Sequence, residues 1–203
     1  MSERPFTRRT ALLAGGGTAA VVLAGCGSGL PAATPASRTA AALGLPGGEH
    51  VLLGQALVVE HAQRAAYAAV AGSRLATGAL RTQLRQYAGI EDAHIAALEQ
   101  AIRRQGGTPP KVTTGTVPLA SLDGALAFCE DLEATATGMW TWFAQRAIGY
   151  DVRAATVSIM GVEARQLNGL RGARSVPVSA VAPPPLSVPA AVQKVSGFAK
   201  AGP

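Results

Sequence analysis

Two halves of this chain carry the same pattern of glutamates, about 72 residues apart. In each half a single Glu is followed about thirty positions later by a second Glu, which has another polar residue three positions after it. The residues of the pattern are Glu60, Glu91 and His94 in the first half and Glu133, Glu163 and Gln166 in the second. Residues three positions apart lie on one face of a helix. The repeat therefore predicts two helical hairpins, each with a lone Glu on its first helix and a polar pair on its second.

The predicted turns place all four glutamates at one height. The first hairpin is expected to reverse direction within residues 72–78 and the second beside Gly149, in each case midway between the two glutamates of that half. At about 1.5 Å of rise per residue, each Glu would then lie roughly 22 Å from its turn. The four carboxylates are thus expected to meet in one layer of the folded protein.

Each of these glutamates falls on the apolar face of its predicted helix, where inward positions recur at spacings of three and four. The inward positions are Leu53, Ala56, Glu60, Gln63, Tyr67 and Val70 in the first segment; Leu80, Leu84, Tyr87, Glu91, His94, Ile95, Leu98 and Ile102 in the second; Leu126, Cys129, Glu133, Thr137, Trp140 and Ala144 in the third; and Ala155, Ile159, Glu163, Gln166 and Leu170 in the fourth. A buried carboxylate normally takes up a proton or binds a cation, and four together repel one another. The first candidates for that cation are metal dications with oxygen and imidazole ligands.

With this motif set, the chain resembles the ferritin-like superfamily over residues 49–171, in particular exported bacterial proteins with a ferritin-like domain. The resemblance implies an all-α fold, a four-helix bundle made of two helical hairpins joined by a long crossover. It also implies that a Glu from the first and third helices and a Glu-x-x-His from the second and fourth hold two iron or manganese ions. The positions that match this metal motif are Glu60, Glu91, His94, Glu133 and Glu163. Gln166 stands where the family has His, and because an amide oxygen is a weaker ligand than imidazole, the second metal position is expected to be weakened.

The first 25 residues have the features of an export signal. A pair of arginines at positions 8 and 9 precedes a short apolar run that ends in Leu-Ala-Gly-Cys at positions 23–26. This order resembles a twin-arginine signal peptide with a lipobox, in which the chain is cleaved before Cys26 and lipid is added to its sulfur. Ala11 departs from the twin-arginine pattern, so general secretion stays open. The mature protein is expected to be lipid-anchored at the outer face of the cytoplasmic membrane.

The rest of the chain divides by composition. Residues 26–48, rich in Ala, Gly, Pro, Ser and Thr, are expected to form a flexible tether, and residues 49–172 the bundle. Residues 105–120 contain several Gly and Pro, and a stretch of this length can span about 50 Å, which suits the long crossover. Residues 173–203 are expected to form an extended Pro-rich tail with a short helix over residues 190–198.

The composition of the chain narrows the kinds of partner that we expect. The chain has 18 Lys and Arg against 12 Asp and Glu, but its basic residues are scattered, without an aromatic cluster or a nucleic-acid-binding motif. Nucleic acid is therefore not an expected partner, whereas an anionic membrane surface is. Once Cys26 is lipidated, Cys129 is the only remaining thiol and is expected to be a small buried core residue.

Two functions fit these features. The first is a cell-surface ferritin-like lipoprotein that binds one or two iron or manganese ions; whether it is also a di-metal carboxylate oxidoreductase stays open. The alternative is a non-enzymatic envelope lipoprotein with a degenerate, metal-free site, whose carboxylates are neutralised by protons or by Arg64, one helical turn from Glu60. A lipid-tethered chain fits poorly into a closed storage cage, and the sequence leaves the oligomeric state open.

Overall fold

The computed structural model describes residues 48–147, 149–177 and 182–202. The elements in this part of the chain are α1 (Glu49–Gly72), α2 (Gly78–Arg104), β1 (Val112–Thr114), α3 (Leu122–Ala144), α4 (Tyr150–Ala173), α5 (Val188–Val195) and β2 (Ala199–Ala201). The predicted signal peptide, the predicted lipidation site Cys26 and nearly all of the predicted tether lie outside the described residues. Among the helices described, none is both long enough and apolar enough to cross a membrane.

The four long helices form the predicted bundle of two hairpins. Helix α1 packs against α2, α3 packs against α4, and the two hairpins meet mainly through α1 and α3. The first hairpin turns between Gly72 and Gly78, and the second between Ala144 and Tyr150. Both turns lie where the midpoints between the glutamates predict them.

Local contacts define where the helices begin. The Ser121 hydroxyl accepts a hydrogen bond from the backbone N–H of Gly124 and so caps the N-terminus of α3. Glu49 lies in the first turn of α1, where a negative charge is favourable. Its carboxylate accepts a hydrogen bond from the backbone N–H of Gly149 at 3.3 Å, which ties the start of α1 to the loop before α4.

The inward face of α4 differs from the prediction at its first position. Ala155 is exposed, whereas Thr156 is buried, with its hydroxyl donating to the backbone carbonyl of Val152 at 2.7 Å. Both residues satisfy the helical spacing, since they precede Ile159 by four and three positions. The prediction for Ala155 is wrong because this spacing alone does not distinguish the two.

The described part of the tail contains a short helix and a strand. Helix α5 covers Val188–Val195, shifted from the predicted 190–198 because Ser187 caps its N-terminus and Pro189 occupies its first turn. Strand β2 then pairs antiparallel with β1 of the crossover, with Thr113 opposite Lys200. This small sheet, which joins the tail to the crossover, was not predicted from the sequence.

The tail also crosses α3 at close range. The backbone N–H of Leu186 donates to the carbonyl of Gly138 at 3.0 Å. A Cβ atom on Gly138 would lie 2.6 Å from the carbonyl oxygen of Pro184, so this crossing requires glycine. A second contact between the tail and α3 is the ion pair of Lys194 with Asp131, whose charged atoms are 2.7 Å apart.

Candidate metal centre

Each of the four long helices contributes one fully buried glutamate. Glu60 on α1, Glu91 on α2, Glu133 on α3 and Glu163 on α4 are all 0% exposed, and His94 on α2 is 2% exposed. Gln166, where the family pattern has His, is also buried. Charged side chains are rarely buried to this extent unless they are paired or bind a metal.

Three of the carboxylates converge on one imidazole nitrogen. The Nδ1 atom of His94 lies 3.1 Å from an oxygen of each of Glu60, Glu91 and Glu163. Donor atoms of these four residues all lie within 4.8 Å of one another. Glu133 lies outside this group of four, although its carboxylate is close enough to Glu163 and Glu91 to be affected by their charge.

The second oxygen of each carboxylate accepts a hydrogen bond from a neutral side chain, which we call its capping donor. The four pairs are Trp140 Nε1 to Glu60 Oε1 at 2.7 Å, Gln166 Nε2 to Glu91 Oε1 at 2.8 Å, Gln63 Nε2 to Glu163 Oε2 at 2.5 Å, and Tyr67 OH to Glu133 Oε1. Every one of these bonds joins one hairpin to the other. The network therefore orients the carboxylates and also holds the two hairpins together.

Two of the capping donors occupy equivalent positions in the repeat. Tyr67 follows Glu60 by seven residues, and Trp140 follows Glu133 by seven. In the structure they bond crosswise, because Tyr67 donates to Glu133 and Trp140 donates to Glu60. The spacing was visible in the sequence, but which glutamate each side chain reaches depends on how the hairpins pack.

Gln63 belongs to the site, although its sequence position predicted only that it lies on the inward face of α1. It is 1% exposed, and its amide N–H donates to Glu163. A polar side chain on an apolar helix face, one turn from Glu60, was the signal that could have identified it.

Burial dominates the electrostatics of the glutamates. It raises the pKa of the Glu60 carboxyl, and the nearby charge of Glu163 adds to the effect. The pKa of Glu91 and that of Glu133 are raised well above the ordinary value for the same two reasons, burial first and then Glu163. Without another cation, these carboxyls therefore tend to retain protons.

His94 responds in the opposite way to an isolated buried histidine. Burial by itself lowers its pKa, but the carboxylates of Glu163, Glu60 and Glu91 around Nδ1 outweigh burial and raise the pKa above its ordinary value. A protonated imidazole can thus act as the internal countercharge of the carboxylates.

Arg64 does not act as a countercharge for the buried carboxylates. Its guanidinium pairs with Asp92 at 3.0 Å, and the two side chains are 47% and 57% exposed. The prediction that Arg64 could neutralise the buried carboxylates is wrong, because its long side chain extends outward to a partner at the surface of α2.

Two other residues of α3, Cys129 and Glu130, lie outside the converging group, and Cys129 is buried as predicted. Cys129 is a free, buried thiol, and burial raises its pKa to about 12. Glu130, three positions before Glu133, instead pairs with Arg171 at 2.9 Å and with Arg174 at 2.5 Å. Only Glu133 of these two acidic residues on α3 belongs to the buried layer.

Several acceptor atoms of the site fit a bound cation. Within the described residues, the buried acceptors of the site without a hydrogen-bond partner include Glu163 Oε1, Glu133 Oε2, Gln63 Oε1 and Gln166 Oε1. Buried polar atoms normally have a partner. Acceptors of this kind beside a cluster of carboxylates and an imidazole form the oxygen and nitrogen donor set that iron and manganese accept.

Comparison with known proteins agrees with this geometry. Residues 49–175, more than half of the chain, match the family described as ferritin-like domain. No curated protein and no solved structure matches the chain. The matched residues cover all four long helices and every residue of the carboxylate cluster. On the evidence of this match and of its four-helix bundle, the chain belongs to the ferritin-like domain family.

Proposed function

We propose that this protein binds iron or manganese in its buried carboxylate and histidine site. The observation that carries the proposal is the convergence of donor atoms from Glu60, Glu91, His94 and Glu163 within 4.8 Å of one another. Bringing three carboxylates together away from water is unfavourable without a compensating positive charge. A metal dication would supply this charge and would take these donor types as ligands.

The residues of the site would divide the work. Oxygens of Glu60, Glu91 and Glu163 and the Nδ1 atom of His94 would hold the ion, since these atoms already face one another. The capping donors fix the orientation of the carboxylates, as outer hydrogen bonds do at many metal sites. A bound iron or manganese ion would supply metal- or oxygen-linked redox chemistry. We therefore include a redox role in the proposal.

The alternative is that the bundle binds no metal and has a structural or interaction role, and one observation favours it. The carboxylates already contact His94 and four neutral donors. With protons on the site, this network could stabilise the bundle without a metal. The protein would then be a non-enzymatic structural or interaction module with a degenerate site.

We also propose that the protein is a lipoprotein, anchored through lipid on Cys26 to the outer face of the cytoplasmic membrane. Support comes from the order of the twin arginines, the apolar run and Leu-Ala-Gly-Cys at positions 23–26. Cys26→Ala should abolish lipid attachment and release the protein from membranes or leave it unprocessed. Unchanged membrane fractionation with an intact N-terminus would overturn this part of the proposal.

Metal content of the full chain distinguishes the two functions. We expect elemental analysis of protein from its native envelope to show iron or manganese, and titration with Fe(II) or Mn(II) to show saturable binding. Glu91→Gln, which preserves shape but removes a charge, should abolish tight binding. Its control is Glu99→Gln on the same helix, since Glu99 pairs with Arg103 outside the site. Absence of binding by the wild-type protein would favour the metal-free module.

A further inference from the structure

We propose that the site holds a single metal ion, because its capping donors leave each carboxylate only one free oxygen. The inference rests on the proposed metal binding and departs from the two-ion site that the family pattern implies. Its basis is the combination of the capping hydrogen bonds with the convergence of three free oxygens on one point.

On Glu60, Glu91 and Glu163, one carboxylate oxygen is capped, and the other, which we call free, contacts His94 Nδ1 instead. On Glu60 and Glu91, the Oε2 atom lies 3.1 Å from His94 Nδ1 and the Oε1 atom is capped. On Glu163, Oε1 lies 3.1 Å from the same nitrogen and Oε2 is capped by Gln63. The three free oxygens therefore surround His94 Nδ1, where they would ligate one ion together with that residue. A carboxylate that bridges two ions through both of its oxygens would have to share its capped oxygen between the second ion and the capping donor, which disfavours bridging.

A second ion would have a much poorer set of donors. Besides Glu163 Oε1, the side-chain acceptors of the described residues that are buried without a hydrogen-bond partner are Glu133 Oε2, the amide oxygens of Gln55, Gln63 and Gln166, and the Thr137 hydroxyl. These offer one negative charge, compared with three at the first centre, and no imidazole. Since a dication needs charged ligands to offset its desolvation, the second position is disfavoured.

The two amide caps are also where the halves of the chain differ. His94 corresponds to Gln166 in the repeat, and Gln63 corresponds to the buried Ala136, 73 positions later. Each difference adds one neutral N–H donor to a carboxylate of the opposite hairpin, Gln166 to Glu91 and Gln63 to Glu163. The geometry thus assigns these two amides the role of limiting the site to one ion.

The test is the number of Mn(II) ions bound by the full chain. Four proteins are compared: the wild type, Gln63→Ala, Gln166→His and the double variant. Gln63→Ala copies the residue of the other half, and Gln166→His supplies the missing imidazole. Gln100→Ala, at an exposed position on α2, serves as the control. Equilibrium dialysis gives the stoichiometry, and electron paramagnetic resonance separates an isolated Mn(II) ion from an exchange-coupled pair.

We expect one ion per chain with an isolated-ion spectrum in the wild type, the control and both single variants, and two coupled ions in the double variant. Two ions in the wild type would overturn the inference while leaving the proposed function intact. Two ions in Gln166→His alone would refute the role of Gln63, and one ion in a folded double variant would refute the role of both caps. Lack of binding by all five proteins would instead refute the proposed function. The wild-type stoichiometry decides the main point even if a variant does not fold.

Discussion

The two hairpins of this bundle share a frame but differ in chemistry. Both place a glutamate on each helix at the same height, and all four glutamates are fully buried. Of the two hairpins, only the first has an imidazole in the site, and its buried amide, Gln63, lies on its first helix, whereas that of the second hairpin, Gln166, lies on its second helix. As a result the polar centre is displaced towards α2, where His94 contacts carboxylates from three helices, while Glu133 stays outside the converging group.

A duplicated arrangement of helices and glutamates therefore does not imply a duplicated metal site. The positions of the carboxylates follow from helix length and turn placement, which the halves share. The donor set follows from single residues, and two positions suffice to make it asymmetric. Crosswise bonds such as Tyr67 to Glu133 and Trp140 to Glu60 preserve the symmetry of the frame around an asymmetric centre.

The largest expected effect comes from removing the imidazole of the first hairpin. His94→Ala should abolish tight Mn(II) binding and lower the free energy of unfolding of the metal-free protein by about 3–5 kcal/mol, because three buried carboxylates lose their common partner. Gln166→Ala, the matched change in the second hairpin, should cost less, about 1–3 kcal/mol for the uncapped oxygen of Glu91. Chemical denaturation and metal titration measure both. Equal effects would show that the halves are equivalent after all.

The pH dependence of stability tests whether protons occupy the centre when metal is absent. Glu60, Glu91, Glu133 and His94 all have raised pKa values in the folded protein. The folded state therefore binds more protons than the unfolded state, and the stability from these groups is lost as pH rises through the folded pKa values. We expect the melting temperature of the metal-free protein to fall as the pH is raised from 5 to 8.

Metal should reverse this trend, because deprotonated ligands bind metal better. With saturating Mn(II), the melting temperature should rise over the same interval. A metal-free melting temperature that rises between pH 5 and pH 8 would contradict the assignment of protons to the buried layer. Glu99→Gln, a change outside the layer, should leave both trends unchanged.

Restoring the family residue in the second hairpin should strengthen metal binding. Gln166→His should leave one ion per chain, since Gln63 still caps Glu163, but it should raise the affinity for Mn(II) or Fe(II) by roughly 10-fold, because an imidazole beside Glu91 is a stronger ligand for these ions than an amide. Isothermal titration calorimetry of the wild type and the variant measures the change. Unchanged or weaker affinity would mean that the amide hydrogen bond to Glu91 contributes more to the site than an added ligand does.

The smallest effects are expected at the crosswise pair. Tyr67→Phe removes the hydroxyl that donates to Glu133 and should cost about 1–2 kcal/mol of unfolding free energy. Trp140→Phe removes the donor to Glu60 and also ring volume from the core, so it should cost somewhat more. Thermal denaturation of both variants tests the order. A larger loss for Tyr67→Phe would indicate that Glu133 depends on its cap more than Glu60 does.

Spacing along the chain is enough to predict the four-helix bundle and its buried layer of glutamates. A helical period of 3.6 residues decides which positions share a face, and the repeat decides how far each Glu lies from its turn. Both quantities depend only on spacing along the chain. For this reason the turns at residues 72–78 and beside Gly149 could be predicted, as could the burial of Gln166 with its neighbouring glutamates.

Contacts between side chains of different helices could not be predicted from the sequence and are known only from the tertiary structure. Gln63 reaches Glu163 across 100 positions of sequence, Arg64 turns outward to Asp92, and β2 pairs with the crossover strand β1. These contacts depend on which helices are neighbours and on the direction in which each side chain leaves its backbone. Spacing within one helix contains neither kind of information, because a contact between distant segments arises only when the hairpins pack.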